Sequence, residues 1–583
     1  MASTGSHPSP GRPERLSELL ATLVPGILFG VHFATLLFYL NPRIEFSVAT
    51  VGRAGAAFAA LFTIVWVVVQ KVWLRRRGRT SRQILPWAVT LSLFLAATAQ
   101  WAHASLFAFY LPPGINNRLI KAAVGVSIAT LVCFYTALLH TVQRRRYGVR
   151  SRLVIGIFVC LSVFISIERR HAYTSVPERA PATAELTRNL RLRLLVIGLE
   201  GATLDAILPL AEQGHLPFLA TLLQQGVYGR LSTLSPVRRL PVWYTLATGT
   251  YPYRHGVVSD SSLTAFFLPR RSALSLVPWT SGLQRWGTLV GVRNPSPSPP
   301  SRAPALWRIL ESLGVSTTVL GWPALEADLA QATRFLGPRF SRLSDTAPAL
   351  SEDNLRLWAR ARRIRPSLAA ADPDLFSLLG DDAPESVKEA VLGDLWRAET
   401  AREVLSTNDD VVFLGIPGLL DVSLSFFGGY AAVQFDGESQ DRQQRASQIL
   451  AGYYRLLDDE LARLWDTIPS PRLLVVVSAY GVREPSGWRR LWSTFSPGSS
   501  IPGRIDGAAD GALLLLGDGL RSGTFLDRAQ LTDLAPTLLY GLGAPVARDM
   551  DGKVLTAAFG TTFLNRTPLT FVPSYSSLAA ASE

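Results

Sequence analysis

The chain has 583 residues, 48% of them hydrophobic and only 17% charged. Soluble domains average about 25% charged residues, and disordered or nucleic-acid-binding tails carry more, so both of those classes are excluded. The formal net charge of +14 would ordinarily point to a polyanionic partner, but its distribution says otherwise. Residues 1–190 hold 21 Lys/Arg against 6 Asp/Glu, with no Asp, for +15; residues 191–583 hold 37 against 38, for −1. The chain is two materials joined end to end, and no nucleic-acid partner is expected.

Five long apolar runs come first, at roughly 17–40, 52–74, 87–110, 119–142 and 152–168. A membrane-crossing helix needs about 20 apolar residues, and five such runs between short charged loops predict an all-α bundle of five transmembrane helices over residues 1–168. The 71–82 loop carries Lys71, Arg75, Arg76, Arg77, Arg79 and Arg82, and the 144–152 loop carries five more arginines. The alternate loops hold two basic residues each. By the positive-inside rule, the two rich loops and the N-terminus are expected in the cytoplasm. An odd number of spans places everything after 168 outside. The only cysteines, Cys133 and Cys160, fall within spans, so the exported part has no disulfide. His32, His103 and His140 lie in or beside spans and are read as packing or interface residues.

Residues 169–190 read as a Pro/Ala/Thr linker. Beyond it, short apolar runs at 192–198, 315–320, 410–416, 472–478 and 512–516 alternate with helical patterns, notably 385–405 and 440–466. This rhythm predicts an α/β domain over 191–583, its mostly parallel sheet covered by helices on both faces. Reactive groups in such folds stand just beyond the carboxyl ends of the strands, which directs attention to Glu200, the 233–245 segment, Asp421 and Ser478–Gly481. Residues 269–302 break the rhythm with Trp279, Trp286 and a Pro/Ser tract. They are expected to form an insertion packed over the sheet edge, although these tryptophans, with Trp488 and Trp492, would also suit a membrane interface.

An ordered set of segments carries a resemblance: VIGLEGAT (196–203), GHLPFLATLLQQGVYGRL (214–231), YTLATGTYPYRHGVV (244–258), LWRILESLGVSTTVLGWP (306–323), LLDVSLSFF (419–427), YYRLLDDELARLW (453–465), LLVVVSAYG (473–481) and LTDLAPTLLYGLGAPVARDMDGKVL (531–555). Together they resemble the type I phosphodiesterase/nucleotide pyrophosphatase branch of the alkaline phosphatase superfamily, which also contains the sulfatases. The resemblance implies an alkaline phosphatase-like fold and hydrolysis or transfer of phosphate or sulfate esters. It also implies two zinc ions held by Asp and His, and a Thr or Ser nucleophile activated by metal.

Residue by residue, those implied positions are altered. Glu200 stands at the first metal aspartate. Arg238, Arg239 and Leu240 stand where the nucleophile is expected, just before Pro241, and the nearest upstream hydroxyl is Ser235. The D-x-x-x-H ligand pair reads Asp421 and Ser425; SDHG reads Ser478, Ala479, Tyr480, Gly481; no histidine falls near Gly507. The exported part has only His171, His215 and His255, none at a ligand position, and no cysteine. Zinc prefers such nitrogen and sulfur donors, so no metal or other cofactor is expected; the alternative is a single Mg²⁺ or Ca²⁺ on Glu200 and Asp421 with a third carboxylate. Glu200, Arg239, Asp421, Ser425, Ala479 and Tyr480 then form a vestigial pocket. Arg239 is expected to pair with Glu200, Asp421 or both in place of the metals, since a buried carboxylate needs a partner.

The expectation is a membrane-anchored, catalytically inactive phosphodiesterase-like protein. It would sit in a bacterial-type cytoplasmic (inner) membrane, its domain outside, binding or scaffolding an envelope lipid, glycan or protein. The alternative is an active metal-dependent phosphodiesterase or phospho-group transferase acting on lipid-linked phosphates. Five spans before a sulfatase-like domain resemble lipoteichoic acid synthases and phosphoethanolamine transferases in architecture.

Overall fold

The computed structural model describes residues 12–77, 81–171, 192–269, 272–278, 293–297, 301–330, 332–338, 351–371, 373–379, 383–406, 410–426, 440–483, 505 and 508–576. Packing divides the chain into two compact units: Met1–Glu178 with Ser261–Ser298, and Arg179–Asp260 with Pro299–Glu583.

The first unit contains five helices, α1 (Arg12–Leu40), α2 (Val48–Arg77), α3 (Ser81–Leu106), α4 (Pro113–Val142) and α5 (Val149–His171). All five are long and apolar enough to cross a membrane, with spans at Leu20–Leu40, Val48–Lys71, Leu85–Leu106, Pro113–Val142 and Val149–His171. The fifth run, short by sequence, gains residues at both ends and makes a 23-residue helix. Residues 169–171 of the expected linker complete it; the remainder lies outside the described residues. Apolar side chains remain exposed along the bundle, among them Ile64, Leu131 and Phe164, as expected where lipid tails are the solvent.

Ser261–Ser298 groups with this unit. Strand β3 (Ser261–Thr264) pairs antiparallel with β4 (Arg293–Pro297). Phe267 packs edge-on against Phe58 of α2, centroids 5.5 Å apart. Asn41, just past α1, accepts from the Ser275 and Leu276 amides (2.8 and 3.1 Å) and donates to the Leu276 carbonyl (2.7 Å). An apolar cluster joins Phe33, Leu37, Phe58, Phe267, Leu274 and Val277. Trp279 and Trp286 lie outside the described residues, as do Trp488 and Trp492.

The second unit is built on an eight-stranded sheet. In chain order its strands are β1 (Arg193–Leu199), β2 (Val227–Ser232), β5 (Thr317–Leu320), β6 (Arg334–Leu336), β7 (Val411–Ile416), β8 (Arg472–Ser478), β9 (Gly511–Gly517) and β10 (Thr524–Gln530). They lie in the order β10-β2-β9-β8-β1-β7-β5-β6, and only β9 runs antiparallel to its neighbours. The longer helices are α6 (Leu204–Glu212), α7 (Pro217–Gln225), α8 (Arg239–Thr248), α9 (Glu352–Ala371), α10 (Glu385–Leu405), α11 (Gly418–Ser425), α12 (Gln440–Thr467) and α13 (Leu534–Gly541). This mixed sheet with flanking helices is the architecture the resemblance implied.

Central strands read as unbroken apolar runs because both faces are covered. Leu195, Ile197 and Leu199 of β1 line up with Val412, Leu414 and Ile416 of β7. They join Leu474 and Val476 of β8 in a core capped by α7, α10 and α12. On the opposite face Gly198 leaves room for the indoles of α8 Trp243 and of Trp322: a Cβ there would come within 2.9 Å of Trp243 and 3.1 Å of Trp322. That close approach seats α8 directly beneath the end of β1.

Candidate functional site

Three sequence-distant residues converge beyond the ends of the central strands. Glu200 follows β1, and its amide donates to the carbonyl of Ile416 at the end of β7 (3.1 Å). Arg239 is the first residue of α8. Tyr480 follows β8, where the Ser478 hydroxyl donates to the Tyr480 carbonyl (2.9 Å) and tightens the turn.

The Glu200 carboxylate is 1% exposed, and both of its oxygens are engaged. Arg239 binds it as a fork, Nε donating to Oε2 at 2.7 Å and Nη2 to Oε1 at 2.6 Å. The Tyr480 hydroxyl donates to Oε2 at 3.0 Å. Bidentate, charge-assisted geometry of this kind is the strongest the side-chain repertoire offers. Burial alone would lower the Arg239 pKa, but the Glu200 carboxylate outweighs it and the net shift is upward. Tyr480 is pushed well above the ordinary phenol range by burial and then by the adjacent Glu200 charge. Arg239 stays half-exposed, so the cluster reaches solvent on one side rather than being sealed in the core.

α8 is held in place at its start. The Leu240 amide donates to Asp260 Oδ1 (2.7 Å) and Arg238 Nη1 to the Ser259 hydroxyl (3.1 Å). It ends on Gly249, whose φ of +67° is a left-handed conformation that suits glycine.

The other expected residues take no part in these hydrogen bonds. Asp421 and Ser425 sit exposed on α11, and the Ser425 hydroxyl donates to the Asp421 backbone carbonyl (2.8 Å). Arg239 therefore pairs with Glu200, and no ion pair joins it to Asp421. Ala479 is fully buried and fills its position with a methyl group. Gly507 lies outside the described residues.

Sequence reasoning missed a second buried charge cluster nearby. Asp394 of α10 accepts from the Tyr453 hydroxyl (2.6 Å), the Gly418 amide (3.0 Å) and Arg397 Nη1 (3.4 Å). Arg397 Nη2 also donates to the Pro338 carbonyl (3.0 Å). Burial pushes the Asp394 carboxyl up to about 6, partly offset by Arg397. Because Asp394 binds the first amide of α11, it positions the helix that presents Asp421. The available signal was an Asp and an Arg three residues apart on the apolar face of a helix.

His255 is buried for structural reasons. Its Nδ1 accepts from the Val257 amide (3.2 Å), so Nε2 carries the hydrogen and donates to Thr245 Oγ1 (3.2 Å). His215 is exposed beside α7. Among the described residues no three His, Cys, Asp or Glu side chains gather as a metal ion requires. The family's metal pair does not fit this donor set: Glu200, the buried carboxylate that follows β1, already holds a guanidinium and a phenol.

The second unit is thus an α/β domain with its polar cluster at the strand ends, and in the chain it follows five apolar helices. The model of the type I phosphodiesterase / nucleotide pyrophosphatase family matches residues 194–490, just over half of the chain, and the chain belongs to that family, whose members are metal-dependent, typically on zinc. Among solved structures it is similar to the phosphonate monoester hydrolase of Silicibacter pomeroyi, at 14% identity over 63% of this chain and 76% of that one, TM-score 0.37. It is also similar to murine ectonucleotide pyrophosphatase / phosphodiesterase 5, at 13% identity over 60% and 95%, TM-score 0.32. A third is phosphonoacetate hydrolase from Sinorhizobium meliloti 1021, at 14% identity over 51% and 57%, TM-score 0.29. No curated protein sequence matches the chain.

Proposed function

We propose that this membrane protein carries a phosphodiesterase-family domain that no longer hydrolyses its family's esters and acts instead by binding or scaffolding. The domain stands on the outer side of a bacterial-type cytoplasmic membrane, and its partner is an envelope lipid, glycan or protein. The observation that carries this reading is the state of Glu200. At the position of a metal ligand, its two oxygens are taken by Arg239 and Tyr480, a fixed cation and a neutral donor. Ala479 and Ser425 supply no ligand, and no hydroxyl stands at residues 238–240 to act as nucleophile.

The test uses the full-length protein in detergent, purified with zinc present. Elemental analysis is expected to find well under one zinc per chain, and bis(p-nitrophenyl) phosphate turnover is expected to stay at the no-protein rate. Stoichiometric zinc, or turnover abolished by Glu200→Ala or Asp421→Ala, overturns the proposal in favour of an active phospho-group hydrolase or transferase.

A further inference from the structure

The chain leaves the second unit at Asp260, joins the five-helix unit over Ser261–Ser298 and returns at Pro299. Its stretch LTAFFL, at 263–268, has no charged residue. What this stretch touches sets its depth. Phe267 packs on Phe58, ring centroids 5.5 Å apart. Phe58 is ten residues into the span that begins at Val48, which at the helical rise is about 15 Å from that end. The neighbouring helix gives the same level. α1 and α2 meet where a Cβ on Gly30 would come within 2.5 Å of the Ala59 backbone, and Gly30 is ten residues from the end of the α1 span at Leu40. Side chains lean toward the N-terminus of their helix, which brings the Phe58 ring back to roughly 10 Å below the helix ends. The hydrocarbon of one leaflet is about 15 Å thick. The Phe267 ring is therefore level with acyl chains.

Lipid offers no hydrogen bonds, so irregular backbone is tolerated near this depth only where the protein itself satisfies it. Leu263 and Leu274 exchange both backbone hydrogen bonds (2.9 and 2.7 Å), and the Leu268 amide donates to the Ala265 carbonyl (3.0 Å). Asn41 takes the Ser275 and Leu276 amides at the end of α1. Ala265, Phe267 and Leu268 are buried in the apolar cluster with α1 and α2. Phe266, between them, is 69% exposed. Its ring centroid lies 5.4 Å from that of Phe267, which puts it close to the same depth. A phenylalanine this exposed to water would forgo most of its burial energy, whereas among acyl chains it already stands in an apolar solvent. It continues the exposed apolar surface that α2 presents at Ile64, Val65 and Val68.

We propose that residues 263–277 form a membrane-inserted hairpin seated on α1 and α2, and that acyl chains of the leaflet at that end of the bundle cover Phe266. Arg270 and Arg271 follow in the sequence and limit the insertion to a depth from which a long side chain still reaches the headgroups. The hairpin interrupts the second unit's sequence, so it gives that unit an attachment to the bilayer separate from the 169–190 linker. This holds whether or not the second unit turns over phosphate esters.

The experiment places a nitroxide spin label on Phe266→Cys of the full-length protein, in a Cys133→Ala/Cys160→Ala background, in vesicles of phosphatidylcholine with phosphatidylglycerol. Collision with oxygen, which concentrates in acyl chains, is compared with collision with a water-soluble nickel chelate. Leu131→Cys, 66% exposed within the α4 span, is the lipid reference, and Phe525→Cys, 51% exposed on β10, is the aqueous one. The expected oxygen-to-nickel ratio at 266 is close to that at 131 and several-fold above that at 525. A ratio equal to that at 525, or a label shielded from both reagents by protein, overturns the proposal. If the cysteine-free background does not fold, the wild-type protein is irradiated in the same vesicles carrying a diazirine on the acyl chain, and its adducts are mapped by peptide mass spectrometry. Adducts at Phe266 alongside those on α2 and α4 support the hairpin; adducts on α2 and α4 with none in 261–269 overturn it.

Discussion

Arg239→Ala isolates the interaction on which the pocket depends. The substitution removes two hydrogen bonds of 2.7 and 2.6 Å and leaves Glu200, 1% exposed, with the Tyr480 hydroxyl as its remaining side-chain donor. Stripping one partner from a fully buried ion pair costs about 3–5 kcal/mol. The Arg239 side chain is 43% exposed, so water enters the gap and screens the charge, which reduces the cost to about 2 kcal/mol. For a domain of roughly 390 residues each kcal/mol moves Tm by about 1–2 °C, giving an expected fall of about 2–4 °C. Arg239→Lys keeps the charge but not the planar fork, and should fall between the two. Because Arg239 and Tyr480 share one carboxylate, Arg239→Ala with Tyr480→Phe should cost more than the two singles together, by about 0.5–3 kcal/mol. Thermal unfolding of the full-length protein, followed by the fluorescence of its 14 tryptophans, measures all of these. An Arg239→Ala Tm within 0.5 °C of wild type, or additivity of the two substitutions, refutes the reasoning.

Two further outcomes follow from buried groups elsewhere. Asp458 is fully buried and accepts from the Phe218 and Leu219 amides at the start of α7 (2.9 and 2.7 Å), and burial pushes its carboxyl up to about 6. The folded state therefore holds this proton more tightly than the unfolded chain, whose value is about 3.9. The stabilising contribution is full below about pH 3.9 and is lost as pH rises through about 6, amounting to at most about 3 kcal/mol. Asp458→Asn should lose that term, so its Tm should fall more than wild type's between pH 7 and pH 4.5; equal changes exclude it. Asn41→Ala leaves the Ser275 and Leu276 amides without their acceptor, at a cost of about 2–3 kcal/mol. Limited proteolysis should then cut within 261–298 several-fold faster, and an unchanged rate would show that Asn41 does not fasten this segment.

What the sequence disclosed follows from burial. β1, β7, β8 and β9 are buried on both faces, so their apolar runs stand out, and the expected strands fall within two residues of the observed ones. β10 is an edge strand in which Asp527, Arg528 and Gln530 face solvent, and β2 has Gly229, with no side chain, at one of its buried positions and Arg230 exposed beside it. Neither shows a run or a clean alternation, and neither was recognised. The Glu200–Arg239 pair was accessible because two substitutions in known motifs were complementary in charge. The Tyr480 contact was not, since a tyrosine at a former ligand position reads equally well as filling. The placement of 261–278 depends on Asn41 and Phe58, more than 200 residues earlier, and no local pattern announces a contact at that range.

The replacement at Glu200 also bears on why catalysis would not survive it. On the proposed reading, Glu200 stands buried at the end of β1 without a metal, and such a charge must be neutralised or removed. The chain does both. Ala479, Tyr480 and Ser425 carry no carboxylate or imidazole, and Arg239 supplies the one cation that Glu200 needs. A guanidinium can stabilise charge developing on an oxygen, but it is not a Lewis acid that makes a bound hydroxyl or water nucleophilic near neutral pH. Here its Nε and Nη2 are committed to Glu200. If the proposed reading holds, restoring one motif residue does not restore turnover: Tyr480→His would still face a carboxylate held by Arg239, and Arg239→Thr would supply a hydroxyl with no metal to activate it. On this reading the pocket is stable because charge, ligand and nucleophile were exchanged together, and only their joint reversal would reopen the family's chemistry.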